Sequence, residues 1–385
     1  MFNFIVERQC SRTKARIATF TLPHATLKTP IFMPVGTQGT IKGLTPEQIS
    51  KIGYRMILGN TYHLEHKPGS QLLDSFGGLH QFMNWPNGLL TDSGGFQMVS
   101  LSKLMKLSEE GVEFSYPHDE NTKLMLTPER SIQIQNRIGA DIIMQLDDVV
   151  HSETTGYRVE EAMNRSIRWL DRCIEAHSKP DEQSLFPIVQ GGLDAKFRAI
   201  SAKEVCKRNT HGYAIGGLSG GEDKLATCEM ISISTDILPR NKPRYAMGIG
   251  YAIDLVVFVG LGCDMFDCVY PTRTARFGTA LIDSEHPLNL NKLTFANDHS
   301  KIDDSCHCST CESLSRAQLH HILKNGSNGP QLLTIHNLYY QYSLMNRIRE
   351  AIECDQYPEF VEKFSSKYFA GSKIPEWVQY PFKKS

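Results

Sequence analysis

The chain has 385 residues, enough for one large domain or two ordinary ones, and 41% of them are apolar, so a sizeable core can form. A net charge of −1 leaves no global field for nucleic acid, so any polyanion must be held by a local basic patch. No apolar run reaches the length of a membrane span, and "MFNFIVERQC" is too short and too charged for a signal peptide.

Eight short apolar segments follow in order: "TPIFMPVGT" (29–37), "RMILGNT" (55–61), "LLTDSGG" (89–95), "ADIIMQLDD" (140–148), "LFPIVQGG" (185–192), "GYAIGGL" (212–218), "PRYAMGIG" (243–250) and "CDMFDCV" (263–269). Most are continuous rather than alternating, as strands buried on both faces are. Helical patterns lie between most of them. "TPEQISKIG" (45–53) has Thr45 as cap, Pro46 at the first position and Gly53 as stop, and "TPERSIQIQNRIG" (127–139) repeats the device. Further helices fit 157–177, 194–208, 222–237 and 251–261.

This alternation predicts a (β/α)8 barrel, with the C-terminal strand ends forming the active face. An open doubly wound sheet is the rival, but no glycine-rich phosphate loop follows the first strand. Residues 1–300 are expected to form the barrel, with a loop and hairpin inserted near 100–126. Residues 301–385 change character and read as a metal-binding subdomain with C-terminal helices.

There are ten cysteines, and three fall within six residues, a C-x-C-x2-C at Cys306, Cys308 and Cys311. Clustered thiols with the rest scattered read as reduced, intracellular and metal-binding rather than as disulfides. Zinc wants four such ligands, and His307, His320, His321 and His336 are candidates for the fourth. A fully protein-ligated ion is structural rather than catalytic. His336 begins a separate segment and could approach from another side.

Acids end several strands: Asp92 the third, Asp147 and Asp148 the fourth, with Asp267 inside the eighth. One such acid alone reads as a cap or a salt-bridge partner. Several at matching strand ends, with Gln190 as another polar end, converge over the barrel mouth. Paired carboxylates suit attack at an anomeric carbon and the accompanying proton transfers. Glycine pairs at 94–95, 191–192, 216–217 and 220–221 leave backbone amides open to a flat ligand.

The motifs "TDSGGFQ", "MQLDD", "IVQGG", "IGGLSGGE", "MGIGY", "DMFDCVYPTRTARFG" and C-x-C-x2-C…H together resemble the tRNA-guanine transglycosylases, over nearly the whole chain. The resemblance implies a TIM barrel with a zinc subdomain and exchange of a tRNA wobble guanine for a modified 7-deazaguanine. It implies Asp267 as nucleophile at ribose C1′ and Asp92 as general acid/base. Asp147 and Gln190 would read the base edge, with the Gly217 amide and the Leu218 carbonyl adding contacts. Phe96 and Met247 would sandwich the base, where without the resemblance both read as ordinary core. Arg273 and Arg276 would grip neighbouring nucleotides, where otherwise they read as a solvated loop. The implied zinc ligands are Cys306, Cys308, Cys311 and His336.

Bacterial members commonly have Cys at the position of Val149, Tyr at Phe96 and Val at Gly220, so "MQLDDVV" and "GGLSGGE" are similar to the eukaryotic catalytic subunit. Gly220 would leave room for queuine, whose cyclopentenediol is bulkier than the bacterial precursor base carries. The resemblance further implies G-U-N anticodons (Tyr, His, Asn, Asp). It implies a heterodimer with a non-catalytic paralogue, or a homodimer. The expected place is the cytoplasm, free or peripheral at the mitochondrial outer surface. Rival readings are a non-catalytic tRNA-binding subunit, which should have lost one acid of the pair, and a zinc-dependent barrel hydrolase, which would need metal ligands at strand ends. Cys268 is a rival nucleophile, but adjacent strand residues face opposite ways.

Overall fold

The computed structural model describes residues 2–37, 39–95, 106–116, 119–218 and 220–383. The chain opens with an antiparallel sheet of β1 (Asn3–Gln9), β2 (Arg16–Thr21) and β3 (Thr26–Thr29). The barrel strands are β4 (Ile31–Gly36), β5 (Met56–Gly59) and β6 (Gly88–Thr91), then β10 to β15 after an inserted sheet. That insertion is β7 (Lys106–Leu107), β8 (Val112–Tyr116) and β9 (Asp119–Leu126), all antiparallel. The barrel resumes with β10 (Ile142–Met144), β11 (Ser184–Phe186), β12 (Ile188–Val189), β13 (Tyr213–Ile215), β14 (Arg244–Ala246) and β15 (Met265–Cys268).

These nine segments pair in the order β11-β10-β6-β5-β4-β15-β14-β13-β12. The two ends of that order are consecutive in the chain, separated only by Pro187. Proline has no N–H to give a ladder, so one barrel strand is split in two, and the sheet is a closed eight-stranded parallel barrel. The Gln145 side chain reinforces the break, accepting from the Ile188 amide at 2.8 Å.

Alternation sorts the strand residues into two layers. Met33, Val35, Met56, Leu58, Met144, Ile188, Tyr245 and Met265 fill the barrel, and Phe20, Leu22 and Leu27 of β2–β3 close its floor. Phe32, Ile57, Ile143, Val189 and Phe266 face the helices outside. The expected helix starts are present: Thr45 forms a capping box with Gln48, and Thr127 accepts from the Arg130 amide. Between β5 and β6 the chain forms three short helices, Thr61–His66, Ser70–Ser75 and Leu79–Met83. The sequence pattern does not reveal them, because Pro68, Gly69, Gly77 and Gly78 break the periodicity into single turns.

The helix Gly329–Glu353 links the metal ligands to the barrel wall. Its Asn337 donates to the carbonyls of Pro271 and Thr279, its Gln341 to that of Gly250, and its Leu338 carbonyl accepts the Tyr54 hydroxyl. Among the described residues, no helix is long and apolar enough to cross a membrane.

Candidate active site

The C-terminal strand ends carry the polar residues expected of them. On β15 the inward positions are Met265 and Asp267, while Phe266 and Cys268 pack into the outer layer. The Tyr245 hydroxyl and the Gly248 amide both donate to Oδ1 of Asp267, at 2.6 and 2.8 Å. Among the described residues Oδ2 accepts no hydrogen bond. One oxygen is therefore fixed, and the other keeps its lone pairs. Burial raises the Asp267 pKa above its ordinary value, against the pull of those two donors. Burial also raises Tyr245 well above the usual phenol range, and the charges of Asp267 and Asp92 push it further, so it stays a donor. The Cys268 thiol is pushed up to about 11 by burial and by the neighbouring Asp267 charge, which leaves it little thiolate.

Asp92 directly follows β6. Asn60 donates to its Oδ2 at 2.6 Å, while the amides of Thr61 and Gly94 donate to Oδ1 at 2.9 and 3.1 Å. The charges of Asp92 and Asp267 both raise the Tyr245 pKa.

Adjacent Asp147 and Asp148 divide in role. Asp148 forms ion pairs with Arg158 and Arg165 of the helix Tyr157–Ala176, both at 2.5 Å, an architectural use. Asp147 is buried and accepts the Gln190 amide at 2.6 Å. Burial raises its pKa to about 7, the Gln190 donor opposing and the Asp148 charge adding. Gly217 has φ +68°, and a Cβ there would lie 2.3 Å from the Gln190 Oε1. A side chain would thus be strained and would evict Gln190. Met247 is partly buried against the barrel interior, and a Cβ on Gly216 would stand 3.4 Å from its sulfur. Asp147, Gln190, Gly217 and Met247 are therefore neighbours. Beneath them the buried Arg198 guanidinium bonds the carbonyls of Val189, Gly192 and Gly216.

Leu218 is half-buried and packs on the outer layer. Gly220 is exposed, and a Cβ there would come 2.6 Å from the Ser152 hydroxyl oxygen. Arg273 and Arg276 are exposed on the helix Tyr270–Arg276, which begins three residues after Asp267. Phe96 lies outside the described residues.

Cys306, Cys308, Cys311 and His336 are buried, with ligand atoms all within 4.8 Å of one another. The three sulfurs stand 3.6, 3.6 and 3.3 Å from His336 Nδ1. The opposite ring nitrogen, Nε2, donates to the Leu281 carbonyl at 2.8 Å, which leaves the Nδ1 lone pair for an ion. Three thiols and one oriented imidazole are a donor set that could hold a metal. His320 instead meets the Leu290 carbonyl, and His307 and His321 are exposed.

Sequence reasoning misses Tyr245, Gly248, Asn60 and Thr61. Tyr245 reads as a core aromatic in "PRYAMGIG". Asn60 and Thr61 leave a trace as the polar tail of "RMILGNT", the same kind of strand end that exposes Asp92.

Comparison with known proteins identifies the family. The family model described as "Queuine tRNA-ribosyltransferase" matches residues 10–370. A Schizosaccharomyces pombe protein named queuine tRNA-ribosyltransferase catalytic subunit is 52% identical over 384 residues, covering 97% of this chain and 95% of its own. A Caenorhabditis elegans protein of the same name is 48% identical, covering 95% and 94%. A Thermoanaerobacter protein named queuine tRNA-ribosyltransferase is 46% identical, covering 93% and 95%. The chain belongs to the queuine tRNA-ribosyltransferase family.

Proposed function

We propose that this chain is a pentosyltransferase that exchanges the wobble guanine of G-U-N tRNAs for queuine through a covalent ribosyl-enzyme intermediate. The observation that carries the reading is Asp267, a buried-strand carboxylate with one oxygen tied by Tyr245 and Gly248 and the other left open. In the first displacement Oδ2 attacks C1′, the bond from C1′ to guanine N9 breaks, and guanine leaves with a proton. In the second, N9 of the incoming base attacks C1′, the ester to Asp267 breaks, and that base gives up a proton. Two displacements at one carbon give net retention. Asp92 carries the protons, its oxygens oriented by Asn60, Thr61 and Gly94.

The base is read by the neighbours of Gly217. Ionised Asp147 accepts guanine's N1–H and amino group, and the second Gln190 amide hydrogen and the Gly217 N–H meet O6. Leu218 offers its carbonyl, and Met247 closes one face of the slot. Arg273 and Arg276 hold the flanking nucleotides. Gly220 leaves room for the cyclopentenediol of queuine.

The cysteine–histidine site holds one zinc ion. Four protein ligands would leave no open position, so the ion would tie the 306–311 segment to the helix Gly329–Glu353 and take no part in the chemistry. Because the fission yeast and nematode relatives are named catalytic subunits, a second, non-catalytic subunit is expected, and the cytoplasm is the expected place of action.

The test is release of labelled guanine from wobble-labelled tRNA on addition of queuine, with and without the partner subunit. Wild type should release label and Asp267→Asn should not. Equal release by both would refute the nucleophile assignment.

A further inference from the structure

The rim beside the nucleophile carries an aromatic pair to which the exchange chemistry gives no role. Tyr251 precedes the helix Ala252–Gly260 after β14, three residues beyond Gly248, whose amide fixes Asp267. Tyr270 opens the helix after β15, three residues beyond Asp267 itself. Their ring centroids are 4.4 Å apart at 47°. The two loops touch: a Cβ on Gly250 would lie 2.4 Å from Cβ of Cys268 and 3.4 Å from Cβ of Tyr270. A third barrel unit joins them. Lys224, at the head of the helix after β13, sets Nζ 5.8 Å from the Tyr251 centroid, and Asp254 pins that ammonium at 2.6 Å.

Tyr251 is nevertheless 49% exposed. A large ring that is braced from two sides and still open to solvent is a ready-made surface for a flat partner. Drawing a guanine out of an anticodon loop breaks its stacking on the adjacent bases. Single-stranded bases regain such stacking on protein aromatics, and exposed arginines nearby take the backbone. Arg273, three residues beyond Tyr270 on the same short helix, is exposed in this way. We propose that Tyr251, braced by Tyr270 and Lys224, is the stacking surface for the base next to the extracted guanine. The inference rests on the base-exchange reading above and adds a substrate-binding residue to it.

The test is guanine-release kinetics of the full chain, with its partner subunit present, on anticodon stem-loop RNA. The RNA is intact or carries an abasic site on either side of the wobble guanine. Tyr251→Ala should raise KM for intact RNA about tenfold, the loss of one stacked base, and leave KM for the free base unchanged. Tyr251→Phe should retain the wild-type KM. One abasic position should cost wild type the same factor and cost Tyr251→Ala nothing further. An unchanged RNA KM in Tyr251→Ala, an equal abasic penalty in both proteins, or failure of Tyr251→Phe to preserve affinity would overturn the inference while leaving base exchange intact. No release by wild type on any RNA would overturn the base-exchange reading and this inference with it.

Discussion

The Tyr245 hydroxyl donates to Oδ1 of Asp267 at 2.6 Å from inside the barrel, where the whole tyrosine is buried. The bond aims the carboxylate and takes one oxygen out of play. Tyr245→Phe keeps the ring in its place and removes only the donor. Hydrogen bonds to charged groups contribute about 1.5–3 kcal/mol, so kcat for guanine exchange should fall at least about tenfold with KM for tRNA unchanged. An unchanged kcat would mean the Gly248 amide orients Asp267 unaided.

With Asp147 in its proposed role, base binding should depend on pH. Burial raises its pKa to about 7, whereas guanine's donors require the ionised form. The carboxylate dominates above that value, and a proton competes with the base below it. KM for the free base should therefore rise as pH falls from about 8 to about 6, nearing tenfold per unit at the acid end. Asp147→Asn should bind base weakly with no such slope. A flat wild-type profile would contradict the role given to Asp147.

In the proposed pocket, Gly220 would decide which base is taken. Any Cβ there approaches the Ser152 oxygen to 2.6 Å, so a valine must displace that hydroxyl and fill the space beside it. Gly220→Val should lower kcat/KM for queuine by about tenfold, the order expected of an overpacked contact, and change guanine-for-guanine exchange little. Equal losses for both bases would refute the pocket argument.

Metal analysis should find one zinc per chain, lost in Cys308→Ser and His336→Ala. Metal binding contributes on the order of 10 kcal/mol to folding of small thiolate sites. Chelation should therefore loosen 281–336 and the helix Gly329–Glu353 together, seen as faster amide exchange across both. A metal-free variant that keeps its exchange protection and loses only activity would point to catalytic zinc instead.

The barrel was legible because buried parallel strands are continuous apolar runs, and a charge within one stands out. Asp267 in "CDMFDCV" is such a charge, as is Asp92 after "LLT". The split of one strand at Pro187 was hidden, since one proline in an apolar run does not say which ladder bond it gives up. Residue type alone does not tell Asp147 from Asp148, although the resemblance picks Asp147; Arg158, in the first turn of the helix Tyr157–Ala176, and Arg165, about two turns further on, pair with Asp148 and make it the structural acid. The β1–β3 floor was missed because "NFIVERQ" ends in charges, with no turn signal before the next strand. The cysteine spacing alone leaves His336 one of four histidine candidates and only the resemblance singles it out; in the fold its helix brings Nδ1 to the sulfurs.

The most direct test is to trap the intermediate. Wild-type enzyme and tRNA, quenched in denaturant during turnover, should give a covalent adduct, and peptide mapping by mass spectrometry should place the ribose on Asp267. Asp267→Asn should form none, and Cys268→Ala should form it normally. An adduct on Asp92 or Cys268, or turnover with no adduct under any quench, would contradict the mechanism.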